Sequence, residues 1–373
     1  MTQAQQILLE QLAASLFGKA TDTVITPEVI REARQQAVLT LLPPEENPLF
    51  WNVIRQNIKV TIAHQQLHRL MTKHGIPYVT LKGVNASHYY PEPTRRQMGD
   101  VDLIVRKEDL ERACAAMEAE GFQGHKDMQE HHVRYDTGSS WWELHWRAPG
   151  FPENHPIERY VDEMIAQAVE RDECMCLQPF HHGLILLTHG AYHWINVGFT
   201  LRNLCDWAVL CAHFEEQEFL ELFESPLKEL GLWKFAQLLM ALSIRYLGAP
   251  RVSWAEGVDE AYLETLMEDV FLRDSDRVNQ AKLITDEESF KVGEKGMVRQ
   301  FLAVLTRKAY MLWPVCEKYK ILLPFGMAAH MVRYVWKIAQ GRKPKVNVGN
   351  MLAGARKRRE LYRPFSLFQP EKE

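Results

Sequence analysis

Gly99-Asp100-Val101-Asp102-Leu103-Ile104-Val105 is the stretch that decides how this chain is read. Apolar residues alternate with two carboxylates, the pattern of a strand with one buried face. Val101, Leu103 and Val105 then point into a core, and Asp100 and Asp102 share the opposite face. Their Cα atoms stand roughly 6.5–7 Å apart at the rise of an extended chain. Carboxylates at that spacing can converge on one Mg²⁺ or bridge a pair, because Mg²⁺ prefers a few carboxylates together with phosphate oxygens and water. Two like charges buried side by side without a cation are costly. Taken alone, Asp-x-Asp equally describes an exposed strand edge or a turn carrying two solvated aspartates.

Upstream, Ile76-Pro77-Tyr78-Val79-Thr80-Leu81 reads as a short apolar strand, followed by Lys82-Gly83 and a short helix over 85–90. A glycine after a strand lets backbone N–H groups approach phosphate oxygens, and the adjoining helix end adds partial positive charge. Lys82 supplies a mobile cation beside them. The bland alternative is an ordinary strand-to-helix turn with a surface lysine. Downstream, alternation in Trp141-Trp142-Glu143-Leu144-His145-Trp146 puts Glu143 and His145 on one face. Glu143 is either a third metal ligand, a base toward an attacking hydroxyl, or a solvent-facing carboxylate on an amphipathic strand.

The surrounding chain predicts a small α/β unit inside a helical protein. Residues 1–75 read as helices. Ile7, Leu8, Leu12, Ala13 and Leu16 share one helical face. Thr26-Pro27 is an N-cap followed by proline at the first helical position, with Pro43-Pro44 as the stop. A third helix is expected from about Pro48 to His74. Residues 76–156 hold the strands at 76–81, 101–105, 131–136 and 141–146, with a hairpin turn at 137–140 and a helix from Lys107 to Glu120 closed by Gly121. Residues 157–340 are predicted helical, in segments 157–170, 178–194, 199–214, 216–225, 228–247, 258–272, 296–319 and 326–340, with a polar loop at 273–295. Residues 341–373 form a basic tail. The fold class expected is therefore α+β, a small mixed sheet embedded in a largely helical chain.

Composition narrows the function classes. The 373 residues are 46% hydrophobic and 25% charged, ordinary for a globular protein with a sizeable core. A formal net charge of -4 gives no global attraction to nucleic acid or anionic membrane. Six cysteines without zinc-site spacing or a disulfide framework suggest a reducing, cytoplasmic location. The first residues lack a basic segment before their apolar ones and read as a folded helix. The longest apolar stretch, Ile321 to Ala339, is interrupted by Pro324, His330, Arg333 and Lys337, so no membrane span is expected.

Taken together, Leu81-Lys82-Gly83, Tyr90-Pro91, Arg96-Gln97-Met98-Gly99-Asp100-Val101-Asp102-Leu103-Ile104-Val105 and Glu143-Leu144-His145-Trp146 resemble an uncharacterised bacterial nucleotidyltransferase-like family within the polymerase-β-type superfamily. The likeness extends through His182, His189 and the 201–207 run, and covers roughly residues 55–300. It implies a nucleotidyltransferase-type mixed sheet flanked by helices. It implies that Asp100, Asp102 and Glu143 are the catalytic carboxylates and hold two Mg²⁺, and that Lys82, Gly83 and Arg96 bind the nucleotide. The reaction implied is attack of an acceptor hydroxyl on the α-phosphorus of an NTP such as ATP, with pyrophosphate leaving. The acceptor is a small molecule, a sugar, a protein or an RNA. One departure stands out: Lys82-Gly83-Val84 lacks the serine that usually follows the glycine. That feature supports an alternative, a catalytically silent nucleotide-binding or scaffold protein of the same fold.

Other residues carry several readings. His182, His189 and His193 recur at spacings of seven and four and share a helix face. With Asp206 they suggest a metal cluster, residues supporting the acceptor side of the site, or polar groups satisfied between helices. Arg202 and Asp206 are spaced to pair along a helix. His145, His189, Arg202 and Asp206 are the candidates for supporting the metal and nucleotide ligands. His131-His132 either contact nucleotide or, by default, lie at the surface, and the tryptophans at 141, 142, 146, 194 and 207 either stack on a base or, as expected of most such residues, lie in the core. Cys174-Met175-Cys176 has no assigned role. Between Arg333 and Arg363 ten Lys/Arg face one acid, Glu360. That basic end is either solvated or a contact for RNA, anionic lipid or an acidic partner, and the Met, Val, Tyr and Trp of 327–339 suit an interfacial helix.

Overall fold

The alternation around Asp102 builds the centre of a five-stranded mixed sheet. The computed structural model describes residues 1–126, 132–138, 140–151, 155–272, 302, 305–306, 308–310, 312–340 and 360–370. The strands are β1 (Val79–Thr80), β2 (Val101–Ile104), β3 (Gly124–Lys126), β4 (His132–Asp136) and β5 (Trp141–His145), in the order β1-β2-β5-β4-β3. β2 and β5 are parallel and the other pairs antiparallel. A parallel neighbour needs a crossover, and here it runs through the helix Leu110–Ala119 and the β3–β4 hairpin.

One sheet face is wholly apolar. Val101, Leu103, Val105, Val133, Tyr135, Trp142 and Leu144 are buried against Val60, Leu67 and Met71 of the long helix Phe50–Lys73 and against Ala113, Ala116 and Met117 of Leu110–Ala119. Each large side chain there contributes about 1.5–3 kcal/mol by leaving water. On the other face, Val79, Leu81 and Ile104 join a second, larger core made by the remaining helices. The acidic residues lie on that same face at the other end of β2 and β5. The central strands β2 and β5 are thus largely buried on both sides, while Gly124 and His125 of the edge strand β3 are exposed.

The helical part follows α1 (Gln3–Phe17), α2 (Pro27–Gln35), α3 (Phe50–Lys73), α4 (Val84–Ser87), α5 (Leu110–Ala119), α6 (Tyr160–Ala166), α7 (Pro179–Tyr192), α8 (Leu201–Cys211), α9 (Glu216–Glu229), α10 (Trp233–Leu247) and α11 (Glu260–Val270). Thr2 and Gln5 close a capping box on α1, and Thr26 caps α2 as its sequence predicts. α1 packs on α2 and α10, while α3 lies under the sheet. A further helix, Leu323–Ala339, exposes Phe325, Val332 and Trp336 along one side. No helix among the described residues is long and apolar enough to cross a membrane.

Several expectations are corrected. α2 ends at Gln35, well before Pro43, and two single turns at Leu39–Leu41 and Pro44–Glu46 follow it. The helix expected over 157–170 stops at Ala166, and Val169–Arg171 pairs with Cys174–Cys176 as a hairpin, β6 and β7. Cys174-Met175-Cys176 therefore has a structural place: the Thr80 hydroxyl donates to the Met175 carbonyl at 2.8 Å, joining this hairpin to the main sheet. α9 runs through Pro226 to Glu229 instead of ending at 225. All six cysteines are free thiols. The loop at 273–295 and His131 lie outside the described residues, as do residues 296–301, 303–304, 307 and 311 of the helix expected at 296–319 and most of the basic tail.

Candidate active site

Strand register brings the third carboxylate to the other two. In the parallel β2–β5 pair Asp102 stands opposite Glu143, so both side chains project from the same face. One carboxylate oxygen from each of Asp100, Asp102 and Glu143 lies within 4.8 Å of the others. Asp100 is exposed, Asp102 is 3% exposed and Glu143 lies between them in burial. The segment entering β2 is held from below. Asn57 of α3 donates to the Thr94 and Arg96 carbonyls (2.9 and 3.0 Å) and accepts from the Met98 N–H (2.9 Å).

The charges around the three acids are unevenly shared. Burial by itself would raise the Asp102 carboxyl, but the Lys82 ammonium at 2.9 Å and the His145 Nε2–H at 3.2 Å hold it well below the usual carboxylate range. Glu143 is pushed the other way, up to about 7. Burial is the main cause, and the neighbouring charges of Asp102 and Asp100 add to it. Arg134, with Nε 3.1 Å from Glu143 Oε1, offsets this only in part. The trio thus carries more negative charge than its protein neighbours neutralise. Three hard oxygen donors with that surplus fit a divalent cation such as Mg²⁺.

Gly83 takes φ +68°, a left-handed conformation that favours glycine, at the start of α4. A Cβ at this position would fall 2.9 Å from Nε2 of His64, a buried imidazole of α3 with no hydrogen-bond partner among the described residues. Burial pushes His64 down to about 4, so it is neutral. Beyond Lys82, the ammonium donates to His189 Nε2 at 3.0 Å. An ammonium has no lone pair to accept with, so Nε2 is unprotonated. Burial, reinforced by the Lys82 charge, keeps His189 far below its ordinary value. The His193 ring packs on it with centroids 4.2 Å apart.

Arg96 is placed differently from its expected role. Its Nε and Nη2 bind Asp206 Oδ1 and Oδ2 at 2.9 and 2.7 Å, and Nη1 reaches the Gln97 carbonyl at 3.5 Å. Tyr90 adds a hydroxyl donor to Asp206 at 2.7 Å. Every guanidinium nitrogen is engaged inside the protein, so the phosphate contact expected of Arg96 is corrected to a buried ion pair with α8. The expected pairing of Arg202 with Asp206 along α8 is likewise replaced, since Arg96 takes both carboxylate oxygens. Arg202 is half-buried, reaches only the Gln97 carbonyl at 3.4 Å, and has an Nε without a partner among the described residues. Burial, together with the charge of Arg96, lowers it, and the charges of Asp206 and Asp100 act against that.

The three helical histidines do not gather as metal ligands. His182 stacks on Tyr89 (5.4 Å, 18° between planes), away from the His189–His193 pair. His132, expected at the surface, is buried on β4, with Nε2 4.0 Å from Glu143 Oε1. Arg134, Asn57 and His64 carry no site reading from sequence, and His132 carries only a nucleotide contact set against a surface default. For the two on β4, a signal was available: positions 132 and 134 alternate with the apolar Val133 and Tyr135, which puts them on the polar face. Of the tryptophans, Trp142, Trp194 and Trp207 are core, whereas Trp141 lies at the rim under the Arg134 guanidinium (4.7 Å).

The comparison with known proteins agrees with this geometry. No curated protein matches the chain. A family model described as "Uncharacterised nucleotidyltransferase" matches residues 28–248, which include both strands of the acidic cluster, the Lys82-Gly83 turn and α8. The chain therefore belongs to this nucleotidyltransferase family.

Proposed function

We propose that the protein transfers a nucleoside monophosphate from an NTP to a hydroxyl acceptor and releases pyrophosphate. The observation that carries this reading is the register pairing of Asp102 with Glu143, which gathers three carboxylates on one strand face beside a cationic turn. Asp100, Asp102 and Glu143 would hold Mg²⁺. When bound, it supplies charge neutralisation on phosphate oxygens.

The chain's own groups then have defined tasks. Lys82 offsets charge on the leaving pyrophosphate from beside the Gly83 turn. Arg202, with an uncommitted Nε near the exposed Asp100, takes the phosphate role that Arg96 cannot. The acceptor oxygen attacks the α-phosphorus, the bond from that phosphorus to the β-phosphate oxygen breaks, and the hydroxyl proton passes to water or to a carboxylate of the cluster. His145 fixes the orientation of Asp102.

A second reading keeps the fold and loses the chemistry. The Lys82–Asp102 pair and the absence of serine after Gly83 favour a protein that binds nucleotide without turning it over. Incubation of the protein with each labelled NTP and Mg²⁺, against a panel of sugar, RNA and protein acceptors, separates the two. Pyrophosphate release that disappears in Asp102→Asn supports transfer. Nucleotide binding without release, equal in both proteins, supports the silent form.

A further inference from the structure

β4 brings a second group of ligands to Glu143. His132 stands opposite His145 in the antiparallel β4–β5 pair, and Arg134 stands opposite Glu143. Both imidazoles are buried, at 8% and 5% exposure. His132 Nε2 lies 4.0 Å from Glu143 Oε1, and His145 Nε2 lies 3.8 Å from Glu143 Oε2. One donor atom from each of the three residues falls within 4.8 Å of the others. The two rings are 4.9 Å apart between centroids.

We propose that His132, Glu143 and His145 form a second metal site, taking a divalent transition ion that accepts imidazole nitrogen, such as Zn²⁺ or Mn²⁺. Ligands on a tetrahedral ion at 2.0–2.2 Å stand about 3.4 Å apart. The two imidazole–carboxylate separations exceed that by roughly half an ångström and the three donors all fall within 4.8 Å, so side-chain rotations are needed to close the set on one ion. The two imidazoles approach opposite oxygens of one carboxylate, an arrangement suited to a shared, bridging Glu143. The donor sets also sort ions by hardness. Three carboxylates suit Mg²⁺, which binds oxygen and sheds water reluctantly, whereas two imidazoles and a carboxylate suit a borderline ion. His145 must give up the proton it shares with Asp102 when it ligates, which couples the two sites. The site shares Glu143 with the carboxylate trio but goes beyond the nucleotidyl-transfer reading, and it needs no nucleotide.

Calorimetric titration of the full chain with Zn²⁺, and separately with Mn²⁺, in millimolar Mg²⁺ tests this. One equivalent is expected to bind to wild type and to Asp100→Asn alike, and His132→Ala should weaken binding more than about tenfold, the loss typical even of outer contacts to a metal. Equal affinity in His132→Ala, or loss of binding in Asp100→Asn, overturns the site. Should His132→Ala fail to fold, Co²⁺ bound to wild type decides the matter. A strong visible spectrum of nitrogen-ligated Co²⁺ supports the proposal, and a weak all-oxygen octahedral spectrum refutes it. Failure of nucleotidyl transfer shows separately, as absence of NTP turnover with Zn²⁺ binding intact.

Discussion

Arg96 and Asp206 meet through two parallel hydrogen bonds, although 110 residues separate them in the chain. The pair is almost wholly buried and fastens the segment entering β2 to α8. It thereby links the acidic strand to the helical part of the protein. A bidentate guanidinium–carboxylate contact fixes direction as well as distance.

Removing one partner strands the other charge. Asp206→Ala leaves Arg96 buried beside the half-buried Arg202, with Tyr90 also losing its acceptor. Unfolding in urea should show a loss of about 3–5 kcal/mol, the usual cost of breaking a buried pair from one side. Replacing both members with apolar residues of similar size should cost less than either single change. A loss below about 1 kcal/mol in Asp206→Ala would mean water reaches the site and the pair is not a buried one.

Glu143 makes stability depend on pH in a definite direction. Its carboxyl is raised from 4.5 to about 7 in the fold. Between those values the unfolded chain has released the proton and the folded chain retains it, so this group's contribution is complete below pH 4.5 and is lost as pH rises through 7. The buried His182 opposes this over part of the range. Burial lowers it to about 3, so its contribution is present above pH 6.5 and fades as pH falls. Melting temperature measured in EDTA from pH 5 to 8 should therefore decline less on the alkaline side in Glu143→Gln than in wild type. Parallel curves for the two proteins would remove Glu143 as the cause.

The Gly83 turn is strained for any other residue. Gly83→Ala must hold φ near +68° and move the His64 ring, which a Cβ would approach to 2.9 Å. The conformational part alone costs about 1–2 kcal/mol. The expected result is a lower melting temperature together with weaker NTP binding, since the turn sits beside Asp102. Restoration of stability but not of NTP binding by a second change, His64→Ala, would separate the packing part from the nucleotide part.

What could be read from sequence was local. Alternation at Asp100–Val105 and at Trp141–Trp146 fixes which side chains share a face, and both strands form where that pattern predicts. Which strand neighbours which is a tertiary fact, so alternation alone does not place Glu143 opposite Asp102. The β6–β7 hairpin was hidden for a physical reason. Its turn uses Asp172 and Glu173 at φ 50° and 56°, without the glycine or asparagine that normally marks such a turn. A basic residue before two aspartates suits a phosphate, and nothing nearby in sequence reveals Asp206 as the partner Arg96 takes in the fold. Proline is a weak stop when, as at Pro226, the surrounding apolar residues Phe219, Phe223 and Leu227 are all buried on one helix face.

Lys82 should affect metal binding and transfer in opposite senses. Its ammonium lies 2.9 Å from Asp102 Oδ2, where it competes with any cation for that oxygen, and the residue directly precedes Gly83. Lys82→Met keeps the aliphatic stem and removes the charge. Asp102 then depends on His145 and the metal alone, so Mg²⁺ should bind more tightly in calorimetry. Nucleotidyl transfer should fall by about 10²–10³ in kcat, the loss typical of removing one group that stabilises charge in the transition state. His189 would become easier to protonate, because the adjacent Lys82 charge is one cause of its lowered pKa. A Lys82→Met protein with unchanged kcat and weaker Mg²⁺ binding would show that the lysine holds Asp102 in place and takes no part in the reaction.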